Sequence, residues 1–137
     1  MSTAIVVFAH GSPIESANDA VRAVAEQARR AGGFDRAEVA FLEPSHPDLA
    51  EATGRLSGEG ATRILVVPYF LTLGLHLQRD LPRIVEDVAR LFPQIEMRVT
   101  PPLDGHPALA GIVLDRAKDA LAEWQPPEIS RTRGGAG

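Results

Sequence analysis

The chain has 137 residues, of which 45% are hydrophobic and 23% are charged, and this composition suits one globular domain. Cysteine is absent, which excludes thiolate zinc sites, iron–sulfur clusters and thiol catalysis. The formal net charge is −4 and the arginines are scattered along the chain, so the sequence offers no basic stripe for binding a nucleic acid backbone.

Short apolar runs alternate with longer amphipathic segments along the chain. The runs predict buried strands at residues 4–9, 37–42, 63–67 and 95–99. The amphipathic segments predict helices at residues 16–31, 47–57, 79–91 and 107–121. This alternation predicts an α/β fold: a three-layer αβα sandwich around a four-stranded parallel sheet. We expect this domain to span residues 1–123, and residues 124–137 to form a frayed tail rich in Pro, Ser, Arg and Gly.

The first predicted strand is also the first long apolar run of the chain. It is too short to span a bilayer, and neither a basic segment nor a cleavage site precedes it. We therefore expect a cytoplasmic protein that does not associate with a membrane.

Local signals set the predicted helix boundaries. Ser16, with Asp19 three residues later, predicts a capping box at the start of the first helix, and the glycines at 32–33 predict its end. Pro82 fits only the first turn of the third helix, which is therefore predicted to start within residues 79–81.

All four histidines follow a predicted strand, and ligands of parallel α/β sheets bind beyond the carboxyl ends of the strands. His10 stands directly after the first strand, before a glycine that lets a ligand approach the backbone. His76 ends a long apolar segment, residues 68–75, which indicates a contact for a flat apolar ligand or a partner. The alternatives are a hydrogen-bonded loop histidine at position 10 and simple core packing of the apolar segment.

Glu43 follows the second strand and completes a candidate metal site with His10 and His76. Two imidazoles and one carboxylate are a common ligand set for divalent metals, and three ligands leave positions open for exchange. His46 and His106 each precede a proline that opens a predicted helix, so we interpret both as N-cap residues.

Several common sites are absent from the sequence. It contains neither a glycine-rich dinucleotide fingerprint nor the G-x-x-x-x-G-K-[ST] motif of ATP-binding loops. Ser12 lacks the G-x-S-x-G context of a hydrolase nucleophile and is interpreted as a loop hydroxyl.

The chain resembles the small sirohydrochlorin chelatases of the CbiX and SirB type, which are class II chelatases. The resemblance implies insertion of Co²⁺, Fe²⁺ or Ni²⁺ into sirohydrochlorin or a related tetrapyrrole, without ATP and without any cofactor beyond the metal that is the substrate. It implies that His10 and His76 bind the metal and that Glu43 assists. The matching segments are residues 8–12, 40–43, 67–71, 74–82 and 101–107.

Two positions depart from the family's usual pattern. Pro13 stands where members often have arginine, and Leu75 stands where they often have a basic residue. Both positions bear on how the substrate's carboxylates are held. Ser12, Arg79 and Arg83 are the remaining candidates for contacting the substrate.

Two other functions fit the same residues: a tetrapyrrole or metal carrier without turnover, and an interaction module in which the histidines are incidental. The resemblance also implies a homodimer, because longer family members carry two copies of this unit in one chain. A single copy leaves the apolar segment 69–75 short of cover, and a two-fold partner would bury it.

Overall fold

The computed structural model describes residues 2–124 and confirms the predicted fold class. The predicted tail beyond Trp124 lies outside the described residues. One compact unit extends to Asp104, and a second begins at Gly105. No helix within residues 2–124 is long and apolar enough to cross a membrane. The strands are β1 (Thr3–Ala9), β2 (Arg36–Phe41), β3 (Arg63–Pro68) and β4 (Glu96–Val99), and the helices are α1 (Glu15–Gly32), α2 (Leu49–Gly58), α3 (Leu75–Leu91) and α4 (Ala108–Glu123).

The sheet is parallel throughout, in the order β2-β1-β3-β4, so β1 has a neighbour on each side. Alternate residues of the strands enter two separate clusters. One face packs against α2 and α3 around the fully buried Phe8 and Leu56, and the other packs against α1 around Val39 and Ala25. Burying one large apolar side chain contributes about 1.5–3 kcal/mol to stability. Because β1 packs against helices on both of its faces, the position where it ends is well fixed.

The predicted capping box of α1 is wrong. The helix begins one residue before Ser16, its N-cap is Ile14, and no side chain caps it. The loop before the helix is instead tied down by Asn18, whose side chain accepts the backbone N–H of Ser12 at 3.0 Å and donates to its carbonyl at 2.9 Å. The predicted C-terminus is confirmed, because Gly33 adopts the left-handed conformation that ends many helices, with φ of 69°.

The predicted start of α3 is also wrong, because the helix begins four residues before Arg79. Its first turn closes with a 3.0 Å bond from the Gln78 N–H to the Gly74 carbonyl, and Pro82 lies inside the helix. Proline leaves the carbonyl four residues earlier, that of Gln78, without its helical partner, but Gln78 is exposed to water. Leu77 and Leu81 pack against the core on either side of that point. Consequently His76 lies on the helix and not in the preceding loop.

The two predicted histidine caps have different outcomes. Asp48, and not His46, is the N-cap of α2, where it forms a capping box with Glu51. In the second unit, the N-cap of α4 is Pro107, so the predicted N-cap at His106 is wrong by one residue. The imidazole Nδ1 of His106 nevertheless accepts the backbone N–H of Ala108 at 3.0 Å.

Candidate active site

The carboxyl edge of the sheet brings three chain segments side by side. Beyond the strands, the Leu42 N–H donates to the Ala9 carbonyl at 3.0 Å, and the Tyr69 N–H donates to the Phe8 carbonyl at 2.7 Å. The segments after β2 and β3 therefore stay paired with the end of β1. His10 follows β1 between them, with Glu43 one residue beyond Leu42 on one side.

His10 is exposed and is oriented by packing against a buried ring. Its imidazole meets the ring of Phe70 edge to face, with centroids 4.8 Å apart and planes at 83°. Phe70 is only 3% exposed and meets Phe8 in the same manner, with centroids 6.4 Å apart. Two edge-to-face aromatic contacts thus connect the imidazole to the core, and sequence periodicity does not reveal them.

Gly11 joins the loop after β1 to the loop after β2. Its φ is 84°, a conformation that favours glycine, and a Cβ atom at this position would lie 2.9 Å from Ser45 Oγ and 3.1 Å from Phe41 Cβ. This close approach presses the His10 loop against the segment that carries Glu43. Sequence reasoning assigned Gly11 to ligand access and missed its packing role.

Ser12 serves the loop structure, as the sequence predicts. Its Oγ accepts the backbone N–H of Ile14 at 3.1 Å, while its backbone is held by Asn18. Asn18 is 8% exposed and is one of two buried polar side chains among residues 2–124. A buried polar group requires hydrogen-bond partners, so Asn18 fixes the turn that follows His10.

The apolar segment before His76 divides between core and solvent. Phe70 is buried, whereas Leu71 and Leu75 are 61% and 75% exposed. Core packing therefore explains the phenylalanine but not the two leucines. His76 is exposed beside Leu75 in the first turn of α3.

Glu43 borders a cavity of about 640 Å³ between the start of α2 and the side of α3. The floor of the cavity is apolar, but its rim carries several carboxylates and a single guanidinium. The Nη2 atom of that guanidinium, Arg83, donates to Asp80 Oδ1 at 3.0 Å. Arg79, the other predicted substrate contact, is exposed on the same helix. The carboxylates are Glu43, Asp48, Asp80 and Asp87.

The predicted ligand set is placed on adjacent segments of one edge. Within residues 2–124, however, no group of three or more metal-binding side chains is arranged to hold an ion. His10, His76 and Glu43 are all exposed side chains whose rotamers are not fixed by burial. Their joint role as metal ligands stays a prediction.

A hydrogen bond between the loop after β2 and the first turn of α2 was missed by sequence reasoning. His46 Nδ1 lies 2.6 Å from Glu51 Oε1, and this hydrogen bond and the carboxylate charge raise the pKa of His46 above its ordinary value. The pKa of Glu51 is lowered, first by the backbone N–H of Asp48 and then by the imidazole. The D-x-x-E spacing of Asp48 and Glu51 is a capping-box pattern, and it identifies the true N-cap in the sequence.

Comparison with known proteins gives consistent matches over most of the chain. The sequence model of the CbiX family matches residues 4–120. A sirohydrochlorin cobaltochelatase of Methanopyrus kandleri is 31% identical, over 88% of this chain and 98% of its own length. A chloroplastic sirohydrochlorin ferrochelatase of Arabidopsis thaliana is 30% identical, over 86% of this chain and 52% of its own length.

Solved structures agree with the sequence matches. The sirohydrochlorin chelatase SirB of Bacillus subtilis subspecies spizizenii, in complex with cobalt, superposes with a TM-score of 0.76 at 28% identity. The match covers 87% of this chain and 51% of SirB. The relatives thus differ in length: the Methanopyrus protein matches end to end, whereas this chain spans about half of the other two.

Proposed function

Because the chain belongs to the CbiX family, we propose that it inserts a divalent metal ion into sirohydrochlorin or a related tetrapyrrole. The observation that carries the proposal is the family match over residues 4–120, which includes His10, Glu43 and His76. Co²⁺, Fe²⁺ and Ni²⁺ are the candidate metals, since imidazole and carboxylate ligands suit all three.

The chemistry of the edge residues supports this reaction. Neutral imidazoles at His10 and His76 bind a divalent ion and still release it to a stronger chelator, and Glu43 offers a carboxylate beside them. Insertion breaks the pyrrole N–H bonds, and each freed electron pair binds the metal while a base or water takes the proton. Ligands that are exposed to solvent suit a metal that is delivered and not retained.

The reaction requires no further cofactor in this proposal, because the metal ion is itself a substrate. We also propose that it proceeds without ATP, as a lyase reaction, since the sequence contains no ATP-binding loop motif. A cytoplasmic location remains a prediction from the sequence.

Arg79 is the better candidate for holding the substrate's carboxylates. Arg83 already pairs with Asp80 on a rim that carries four carboxylates, and such a rim repels a polyanionic ligand. Arg79 is exposed one helical turn after His76. Ser12 uses its Oγ within the loop, where it accepts an N–H at 3.1 Å, which leaves Arg79 as the favoured contact.

We propose that the working protein is a homodimer. Leu71 and Leu75 are exposed near the carboxyl edge of the sheet, where contact with a partner would shield their apolar side chains from water. In two of the matched relatives the segment similar to this chain is only about half of the whole protein, which favours a second copy as that partner.

The test of the function is spectroscopic metallation of sirohydrochlorin with each metal in turn. A chelatase forms metallated product in excess of the protein, whereas a carrier stops at one equivalent. A metal titration separates the third possibility, because an interaction module binds metal no better with His10 and His76 than without them. Absence of product with all three metals would overturn the proposal.

A further inference from the structure

One histidine beside the loop of His10 is assigned neither to metal binding nor to a helix cap: His46 follows Ser45, whose side chain lies against Gly11. His10 and His76 are proposed metal ligands, and His106 accepts the backbone N–H of Ala108. His46 does not cap α2, because Asp48 does. Its side chain is 73% exposed, and its Nδ1 atom is held 2.6 Å from Glu51 Oε1.

The partner of His46 is fixed in position by the start of α2. The same Glu51 Oε1 atom accepts the backbone N–H of Asp48 at 2.9 Å, and Asp48 Oδ1 accepts the Glu51 N–H at 2.9 Å. A carboxylate held in this way keeps the proton of a neutral imidazole on Nδ1. The other nitrogen, Nε2, is then the one that accepts a proton.

The charged groups that act on His46 are all acidic. Glu51 has the largest effect on its pKa, followed by smaller effects of Asp48 and of Glu43 in the loop after β2. All three raise the pKa of His46 above its ordinary value, which makes the imidazole a stronger base. A proton acceptor is most effective when its pKa lies near the working pH.

Metal insertion requires a group that accepts protons. The pyrrole N–H protons must leave, but imidazoles that bind metal must stay deprotonated and cannot also carry these protons. We propose that His46, oriented by Glu51, accepts through water the protons that the incoming metal displaces and then releases them to solvent. This inference rests on the proposed function. No redox change is involved, because each N–H electron pair stays on nitrogen and binds the metal while the proton moves to Nε2.

The main test compares His46→Ala with the wild type in dilute buffer that contains no imidazole. We expect the turnover rate to fall by about 10- to 100-fold, at or below the lower end of the range for general-base catalysis. Added imidazole should restore most of the rate to the variant and have little effect on the wild type. Cobalt affinity should remain unchanged, because no proposed ligand is altered. The melting temperature should change little, because the contact between His46 and Glu51 is exposed and Asp48 keeps the N-cap.

A second pair of variants tests the role of Glu51. Glu51→Gln keeps a capping-box side chain but removes the charge, so the pKa of His46 falls and the acid limb of the rate profile should move to lower pH. In a His46→Ala background the same change should leave the profile where it is. His106→Ala is the matched control, since it removes another exposed imidazole and should not respond to added imidazole.

The outcomes separate the two proposals. If the wild type turns over and His46→Ala matches it in dilute buffer, or if imidazole does not restore the variant, the proton-acceptor role is wrong and the proposed function stands. If the wild type forms no metallated product with any of the three metals, the proposed function fails and the role of His46 fails with it.

Discussion

His10 and His76 differ from His106 in what their side chains do for the fold. The first two are exposed at the sheet edge, whereas His106 accepts a backbone N–H at the start of α4. We therefore expect His10→Ala and His76→Ala to abolish metallation with unchanged melting temperature. His106→Ala should keep most of the activity and cost at most about 1 kcal/mol, the usual scale of a lost helix cap.

Initial rates and melting curves of these variants, measured together, test the assignment. Glu43→Gln should lie between the two classes, because the amide keeps the size of the side chain but loses its charge and basicity. If His106→Ala is as inactive as His10→Ala at unchanged stability, the metal site has been assigned to the wrong histidines.

Gly11 offers a test of how closely the two loops must approach. Gly11→Ala should destabilise the protein by about 1–3 kcal/mol for the left-handed backbone, and by more for the contact with Phe41 Cβ, and it should weaken metal binding by displacing His10. The control is Gly33→Ala, whose φ of 69° carries a similar backbone cost but whose Cβ would meet nothing within 4 Å. Equal losses of stability and unchanged cobalt affinity in both variants would show that the loop contact is unimportant.

At the scale of elements, the strands and helix bodies are predictable from the sequence, but the contacts that begin α1 and the position where α3 begins are not. Each predicted strand agrees with the observed one within a residue or two, because short apolar runs rich in β-branched residues are local features of the sequence. The predicted burial is wrong for β4, which is largely exposed. The start of α1 depends on Asn18 reaching back to Ser12, and the start of α3 depends on core contacts of Leu77 that outweigh Pro82. Both depend on contacts between side chains and other parts of the chain, which helix propensity does not describe.

The candidate site is also predictable only in part. The edge that carries His10, Glu43 and His76 is predictable from strand order, because all parallel strands end on one side. The contact of His10 with Phe70 and the pairing of His46 with Glu51 are not, since each depends on side-chain placement across separate segments. The resemblance to a known family supplied the roles that spacing alone leaves open.

Helix α1 carries an acid-sensitive cluster. Glu26 accepts hydrogen bonds from Arg29 at 2.8 Å and from Arg30 at 3.1 Å, and these arginines, Arg29 first, lower the pKa of Glu26 to about 2. A lowered pKa means that the stabilisation is present above the ordinary value of 4.5 and is lost as the pH falls through about 2. The side chains are largely exposed, so the effect is small.

Melting temperatures of the wild type and Glu26→Gln over a pH series test this cluster. The wild type should melt higher above pH 4.5, and the difference should shrink to nothing as the pH approaches about 2. A difference that is independent of pH would mean that Glu26 contributes through packing and not through its charge.

At the scale of the whole molecule, the length of the relatives and the exposed leucines lead to the same expectation. The segment that matches this chain makes up 51% of SirB and 52% of the Arabidopsis ferrochelatase, so each of those proteins is long enough to hold two such segments. A two-fold interface brings the same patch together from both copies, so one substitution changes it twice. Leu75, 75% exposed at the start of α3, is the most exposed leucine of the edge segment.

We therefore expect light scattering to give the mass of a dimer at micromolar concentration, and Leu75→Glu to shift it to a monomer, because two buried carboxylates would face each other across the two-fold axis. Leu91→Glu is the matched control: Leu91 is 66% exposed, but it lies at the opposite end of α3, away from the functional edge, so this variant should remain a dimer. A wild-type protein that is monomeric at these concentrations would contradict the dimer outright. Dissociation of both variants alike would place the interface along the whole of α3, and the edge segment would then need another cover.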